Sequence, residues 1–357
     1  MKFQKSSKKG NILVISPRIP LADLFPDSPF KKKLLAEDPN FSNLIHIKKG
    51  LINNSWKWNK FLIQELNQDV FKNVNIVNKN YSKLQNHLEG KNGIRVPKLL
   101  TQKGAWRTFE YIPSETFLKP KNENMAFKTA FAFGKFQEAF LDMPLGEIEE
   151  TIPNFHNVES RILQLENAVK TNKAYRKEKI QQEIEKVLKE KSFWLMLSEQ
   201  MKNCQKRIVH YDTKISNVLF SKDDSVKAII DLDTTMPGFT FFDYGDMIRS
   251  MCSKSKEDVR DTRKVQVDTN LFEAITEGYL AATNEWITPF EKSNLMNGVM
   301  YIIFENATRF LTDYINGDIY FRTSRKNQNL DRFKSQHKLY KEFKRNFQKY
   351  EKIIFSI

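Results

Sequence analysis

Apolar positions fall into two regimes along the chain. Up to Ile112 they come as short runs or alternations: Asn11–Ser16, Ile45–Lys48, Ser55–Trp58 and Lys60–Leu66, broken by Gly50 and the Asn53-Asn54 pair. Such segments predict short strands. One helix interrupts them, because Val74, Val77, Tyr81, Leu84 and Leu88 are spaced 3, 4, 3 and 4 residues apart and so share one narrow face. Arg107–Ile112 reads as a further strand, stopped by Pro113. From Pro113 onward the spacing turns helical. Phe127–Phe140 carries a dense aromatic and small-residue face; Ile162, Leu165 and Val169 mark another helix, and Ile180, Ile184, Val187 and Leu188 a third. The Lys/Glu-rich stretch Asn172–Lys191 reads as a solvated helix face. One β-like island, Arg207–Asp233, interrupts the helices, which resume from Asp258. The economical summary is an α+β chain of two lobes, a small β-rich lobe at 1–112 and a larger helical lobe at 113–357.

Composition narrows the class. The 357 residues are 40% hydrophobic and 28% charged, with 28 Phe, 11 Tyr and 5 Trp, enough bulk for a sizeable core and incompatible with a mainly disordered chain. The longest apolar stretches, such as Val299–Phe304, fall far short of the ~20 residues of a spanning helix, so no membrane partner is expected. Behind the basic start MKFQKSSKKG the apolar run is only Ile12–Ile15, against the roughly 7–15 residues of an export signal. Cys204 and Cys252 are too few for a disulfide framework and read as packing residues of a cytoplasmic protein. The net charge of +15 is spread along the whole chain without any nucleic-acid-binding pattern, so a solvated basic surface and no nucleic-acid partner are expected.

The island carries the chemistry. It runs R-I-V-H-Y-D-T-K-I-S-N-V-L-F from Arg207 to Phe220, then A-I-I-D-L-D-T-T-M-P-G from Ala228 to Gly238. His210, Asp212 and Asn217 form H-x-D-x-x-x-x-N, and Asp231 follows Asp212 by 19 positions at the end of an apolar run. Phosphoryl transfer needs a carboxylate to hold the attacking hydroxyl and accept its proton. It also needs hard oxygen ligands for the Mg²⁺ that bridges the phosphates. A tight loop between two strands would present Asp212 and Asn217 together, and the next strand end would deliver Asp231. Lys214, two residues past the base, stands where it can neutralise a transferring phosphoryl group.

These blocks resemble the aminoglycoside-phosphotransferase and choline-kinase branch of the protein-kinase-like fold, and within it the N-acetylhexosamine 1-kinase group. The resemblance extends to F-D-Y-G-D-M-I-R (Phe242–Arg249), R-F-L-T-D-Y-I-N-G-D-I-Y-F-R (Arg309–Arg322), N-L-D-R (Asn329–Arg332), I-P-N-F-H-N (Ile152–Asn157) and D-V-F-K-N (Asp69–Asn73). Recognisable blocks span from about Gly50 to Tyr340. The resemblance implies a bilobal kinase that uses ATP and Mg²⁺ to phosphorylate a sugar. Asp212 would be the base, Asn217 and Asp231 the metal ligands, and Arg309 and Tyr320 sugar contacts. Asp233 would lie on the same face of an extended strand end as Asp231, to bind sugar hydroxyls or to cap a turn. His210 is expected to be structural, and Asp243 and Asp246 to brace the catalytic loop or cap the following helix. His156 either closes a turn, the favoured reading, or lines the sugar pocket.

The nucleotide side departs from that group. A loop at Gly50 and Asn53 could offer backbone N–H groups to phosphate, although Leu51 and Asn54 replace the group's usual His and Asp. The next strand has Gln64 then Glu65, with no kinase lysine, and Lys79 stands on the following helix where that group tends to have Glu. A Glu65–Lys79 ion pair with exchanged signs is one expectation. Backbone groups near Glu110 and Ile112 would serve the adenine. The remaining acceptor readings are another sugar, a choline-like amino alcohol or an aminoglycoside. A non-catalytic nucleotide- or sugar-binding protein is the alternative from a different class.

Overall fold

A computed structural model describes residues 44–47, 52–91 and 93–357 and divides into two compact units. The first comprises the described residues up to Asn78 together with Pro97–Ile112; the second comprises Lys79–Val96 and Pro113–Ile357. The expected strand Asn11–Ser16 lies outside the described residues, as do Lys48, Gly50 and Leu51.

The first unit is built on an antiparallel sheet of β1 (Ile45–His46), β2 (Asn54–Trp58), β3 (Phe61–Glu65), β4 (Leu99–Lys103) and β5 (Trp106–Glu110), in the order β1-β2-β3-β5-β4. Alternation sets its faces. Trp58, Phe61 and Ile63 are buried together, with Leu44, Trp56 and Trp106 packed against them. The opposite face places Ser55 beside Gln64 and Gln64 beside Arg107 in register. Leu99–Lys103 was not legible as a strand, because Leu-Leu-Thr-Gln-Lys buries none of its residues and shows no clear alternation. Helix α1 (Val74–Leu88) follows its predicted stripe, with Val77, Tyr81, Leu84 and Leu88 buried.

The second unit is helical around two β ribbons. Its elements are α2 (Glu123–Glu138), α3 (Val158–Thr171), α4 (Gln181–Leu188), α5 (Lys191–Met201), β6 (Arg207–Val209), β7 (Val218–Phe220), β8 (Val226–Ile229), β9 (Met236–Gly238), α6 (Thr240–Met251), α7 (Thr269–Thr283), α8 (Pro289–Ser293), α9 (Leu295–Asn316), α10 (Gln328–Arg345) and α11 (Phe347–Ser356). The Lys/Glu-rich stretch is helical only in part. Asn172, in the left-handed conformation at φ 43°, ends α3, and α4 turns Ile184 and Val187 inward. The island forms two ribbons. β6 pairs with β9 and β7 with β8, so the strands that bracket the loop 210–217 are joined through partners further along the chain.

Helices α6 and α9 are buried along almost their whole length, polar residues such as Asp243, Asp246 and Glu305 included. Their crossing depends on Gly245 and Gly298. A Cβ added to Gly245 would lie 2.5 Å from the Gly298 carbonyl oxygen, and one added to Gly298 would lie 2.6 Å from Phe241. Asp243 and Asp246 on α6, and Glu305 and Arg309 on α9, are therefore carried by two closely apposed backbones. No helix among the described residues is long and apolar enough to cross a membrane.

Alanine at Gly245 tests this contact. In an open helix Gly→Ala stabilises by roughly 0.5–1 kcal/mol. Here overpacking is expected to reverse the sign and cost about 1–3 kcal/mol, read as a lower melting temperature. A Gly245→Ala protein that melts at or above the unaltered protein would show that the two helices can part freely.

Candidate active site

The loop after β6 is fixed by one carboxylate. Asp243, in the first turn of α6, accepts the backbone N–H of His210 at 2.9 Å and that of Tyr211 at 2.7 Å, and the Gln137 Nε2 at 2.8 Å. Burial pushes its carboxyl up to about 7, against the pull of those three N–H donors. Tyr211 is thereby held at φ 67°, a left-handed conformation that a bulky residue keeps only when its surroundings over-determine it. Thr213 Oγ1 donates to the Asp243 carbonyl at 2.6 Å, and Thr234 Oγ1 donates to the His210 carbonyl at 2.9 Å. His210 is fully buried. Its Nδ1 accepts the Asp212 N–H at 3.3 Å, which leaves Nε2–H to donate to the Ile230 carbonyl at 3.0 Å. Of the two aspartates expected to brace the loop or cap the helix, Asp243 braces the loop, whereas Asp246 pairs within its own helix. Asp246 Oδ1 accepts from Arg249 Nε at 2.8 Å, and its Oδ2 is buried with no hydrogen-bond partner among the described residues.

Asp212 and Asn217 come together as the spacing implied. Asn217 Nδ2 donates to Asp212 Oδ2 at 2.9 Å and to the Asp212 carbonyl at 2.8 Å, so the carboxamide oxygen is directed elsewhere. The Asn217 carbonyl accepts the Ile230 N–H at 2.9 Å, which fixes the residue before Asp231 to the same loop. Lys214 Nζ lies 2.5 Å from Asp212 Oδ1, on the carboxylate itself. Burial alone would raise the Asp212 carboxyl, but the Lys214 charge and hydrogen bond outweigh it and hold the group at about 2. Burial would lower the Lys214 ammonium, yet Asp212 and then Asp246 keep it above its usual range.

One part of the strand-end geometry is corrected. Asp231 adopts φ 65° and ψ 51°, and Leu232–Thr234 closes a 3₁₀ turn, so the chain is not extended there. The two carboxylates consequently differ: Asp231 is exposed and Asp233 is buried.

A buried ionic cluster stands around Arg309. Arg309, on α9, sits with its guanidinium carbon 5.1 Å from the Phe155 ring centre, 5.6 Å from Tyr320 and 5.3 Å from Phe321. Its Nη2 reaches the Tyr320 hydroxyl at 3.4 Å, so this predicted pair is brought together. Asp313 accepts the backbone N–H groups of Ile319, Tyr320 and Phe321 at 3.0, 2.8 and 2.9 Å, which pins the loop carrying Tyr320. Asn329 Nδ2 donates to Asp313 at 2.8 Å and to Asp318 at 2.9 Å, giving the N-L-D-R block a bracing role. Glu305 is fully buried, with Oε1 2.9 Å from Arg161 Nε and 3.7 Å from Arg309 Nε, and Oε2 3.4 Å from His156 Nδ1. His156 does lie in a turn, but its ring points inward, and its Nε2 is 3.3 Å from the Tyr211 carbonyl. Sequence reading missed Glu305, Arg161 and Asp313. The available signal was the i,i+4 spacing of Glu305 and Arg309 on one helix.

The residues assigned to the nucleotide lie in the first unit, with Gly50 outside the described residues. Asn53 Oδ1 accepts the Asn67 N–H at 3.0 Å, and Gln64 takes a 2.5 Å hydrogen bond from Arg107 Nη2 while its own Nε2 is 3.3 Å from Ser55 Oγ. Glu110 Oε1 accepts the Lys98 N–H at 3.1 Å, and Ile112 is buried. The exchanged Glu65–Lys79 pair is not formed. Glu65 accepts from Asn54 Nδ2 at 3.1 Å across the β2–β3 ribbon, and Lys79 pairs with Glu149 at 2.7 Å.

No group of three or more His, Cys, Asp and Glu side chains converges as a metal cage among the described residues. The donor set at the loop, one carboxamide oxygen and aspartate carboxylates, is of the hard-oxygen type. That fits a Mg²⁺ held by one or two carboxylates and completed by substrate phosphates.

Residues 79–274 match the family model described as the phosphotransferase enzyme family, and the chain belongs to that family. Solved structures agree on the fold. An ADP-bound aminoglycoside phosphotransferase APH(2'')-Ib aligns at 13% identity with a TM-score of 0.52, covering 89% of this chain and 99% of that one. A GDP complex of aminoglycoside 2'-phosphotransferase-IIIa aligns at 13% identity and TM-score 0.56, over 89% and 98% of the two chains. Choline kinase from Cryptosporidium parvum aligns at 13% identity and TM-score 0.53, over 88% and 92%. The fold is therefore the protein-kinase-like fold of aminoglycoside phosphotransferases.

The ionic cluster has a measurable signature. Burial would raise the Glu305 carboxyl from 4.5, but Arg309, then His156 and Arg161, bring it down to about 2. Since the folded-state value is the lower one, Glu305 contributes about 3 kcal/mol above pH ~4.5, lost as pH falls through about 2. Urea unfolding of Glu305→Gln is expected to show a flatter loss of stability over that acid range than the unaltered protein. Identical acid limbs would contradict the cluster's charge pairing.

Proposed function

We propose that the protein is an ATP- and Mg²⁺-dependent small-molecule kinase that phosphorylates the anomeric hydroxyl of an N-acetylhexosamine, N-acetylglucosamine or N-acetylgalactosamine. The observation that carries the kinase reading is the Asp212–Asn217–Lys214 constellation on a loop pinned by Asp243, with Asp231 tied to it through Ile230. Asn217 and Asp231 would hold the metal, which when bound offsets charge on the phosphates. Asp212 orients the sugar hydroxyl toward the γ-phosphorus. As the new O–P bond forms and the bond to the departing ADP oxygen breaks, the hydroxyl proton passes to the Asp212 carboxylate. Lys214 holds the Asp212 carboxyl low, which suits a base that takes the proton as the attacking oxygen becomes acidic in a loose transition state. Lys214 supplies positive charge beside that oxygen. Asn53, Gln64, Glu110 and Ile112, with Gly50, serve the nucleotide.

Arg309 and Tyr320 are assigned to the acceptor, and their setting favours a neutral one. A cluster of aromatic faces is the usual receptor for a quaternary ammonium. Here Phe155, Tyr320 and Phe321 already surround the protein's own guanidinium, so an added cation such as choline or a polycationic drug would meet like charge. A sugar can instead take hydrogen bonds from Arg309 and stack on Tyr320, which is 44% exposed. Asp233, at 2% exposure, is assigned as a contact for sugar hydroxyls or as a turn cap.

ATP consumption across N-acetylhexosamines, other free sugars, choline and an aminoglycoside tests the reading, with phosphorus NMR locating the product phosphate. Phosphate on C1 of an N-acetylhexosamine is expected. Asp212→Asn is expected to lower kcat by about 10²–10⁴-fold. Phosphate on O6 would overturn the anomeric assignment, and turnover confined to choline or the drug would overturn the sugar. An unaltered rate in Asp212→Asn would remove the base.

A further inference from the structure

We infer that Glu305 is a positioning residue that ties the acceptor-side arginine to the catalytic loop, an inference that rests on the kinase reading above. Helix α9 and the segment 155–161, far apart in sequence, meet at this one carboxylate, and His156 carries the contact on to the loop. Toward α9 its Oε1 lies 3.7 Å from Arg309 Nε, one helical turn away, and so fixes the direction of the guanidinium that faces Tyr320. Toward α3 the same oxygen takes Arg161 Nε at 2.9 Å. Arg161 in turn donates to the carbonyl of Phe155, whose ring stacks on Arg309. Toward the loop its Oε2 faces His156 Nδ1 at 3.4 Å, and the other nitrogen of that ring lies 3.3 Å from the Tyr211 carbonyl, directly before Asp212.

The chemistry of the cluster explains why a fully buried carboxylate stands there. Two guanidiniums side by side repel, and Glu305 between them lets Arg309 be held at a defined angle without Arg161 driving it away. His156 is held among rings, stacked on Phe155 with ring centres 4.6 Å apart and packed near Tyr211 and Phe242 at 5.3 and 5.5 Å. A rigid ring between Glu305 and the Tyr211 carbonyl transmits position where a flexible side chain would not. The carbonyl it reaches belongs to the residue held in the left-handed conformation, where the loop has least freedom to adjust elsewhere. Acceptor orientation and base orientation thus share one anchor.

Glu305→Gln keeps the shape and removes the charge. With ATP and the sugar that the unaltered protein phosphorylates, it is expected to raise the acceptor KM about tenfold or more and leave the ATP KM within about twofold. His156→Gln is expected to lower kcat by a similar factor with the acceptor KM little changed, and the double variant is expected to be non-additive. A merely structural role predicts a lower melting temperature and active fraction with both KM values intact. A folded Glu305→Gln protein with unchanged acceptor KM, or an additive double variant, overturns the inference while the kinase reading stands. If Glu305→Gln does not fold, an unchanged kcat in His156→Gln overturns it. An unaltered protein that transfers phosphate to no acceptor overturns both.

Discussion

The site depends on the Asp243 carboxylate and the two backbone N–H groups it accepts. Those bonds to His210 and Tyr211 hold the chain through a left-handed residue immediately before Asp212, a conformation costing of order 1–3 kcal/mol for a non-glycine residue. Asp243 is itself fully buried on a helix whose packing requires glycine at two facing positions. Loop geometry, helix crossing and side-chain chemistry therefore form one arrangement, and none of the three is adjustable alone.

Around this anchor, charge is handled by close pairing rather than by solvent. Asp212 is met by Lys214, and Glu305 by two arginines, in places where an unpaired ion would be severely penalised. At Glu305, which is fully buried, removing one arginine leaves charge uncompensated, whereas Asp212 and Lys214 are half-buried. The exposed pair Lys79–Glu149 contrasts with them. Its side chains are about half exposed, a setting in which ion pairs contribute little, and its presence says more about which partners are near than about stability.

The first unit shows how polar side chains on a sheet face are satisfied across strands. Glu65, which follows Gln64, accepts a hydrogen bond from Asn54 across the ribbon. Gln64 is engaged by Arg107 from the adjacent strand, its register partner. Cross-strand neighbours of this kind are invisible to spacing along the chain.

Periodicity and residue type were sufficient for much of this protein. The α1 stripe, the β-rich beginning, the helical remainder and the grouping of Asp212 with Asn217 all follow from local preferences and short separations, where chain geometry leaves few alternatives. What the sequence could not determine were contacts between segments far apart in the chain. The pairing of β6 with β9, the left-handed turn at Asp231, the redirection of Lys79 to Glu149 and the convergence of Arg161, His156, Glu305 and Arg309 each depend on which surfaces meet after packing. Hydrogen bonds and ion pairs act over a few ångströms in space and carry no signature of sequence distance. Tertiary structure alone decides such partnerships.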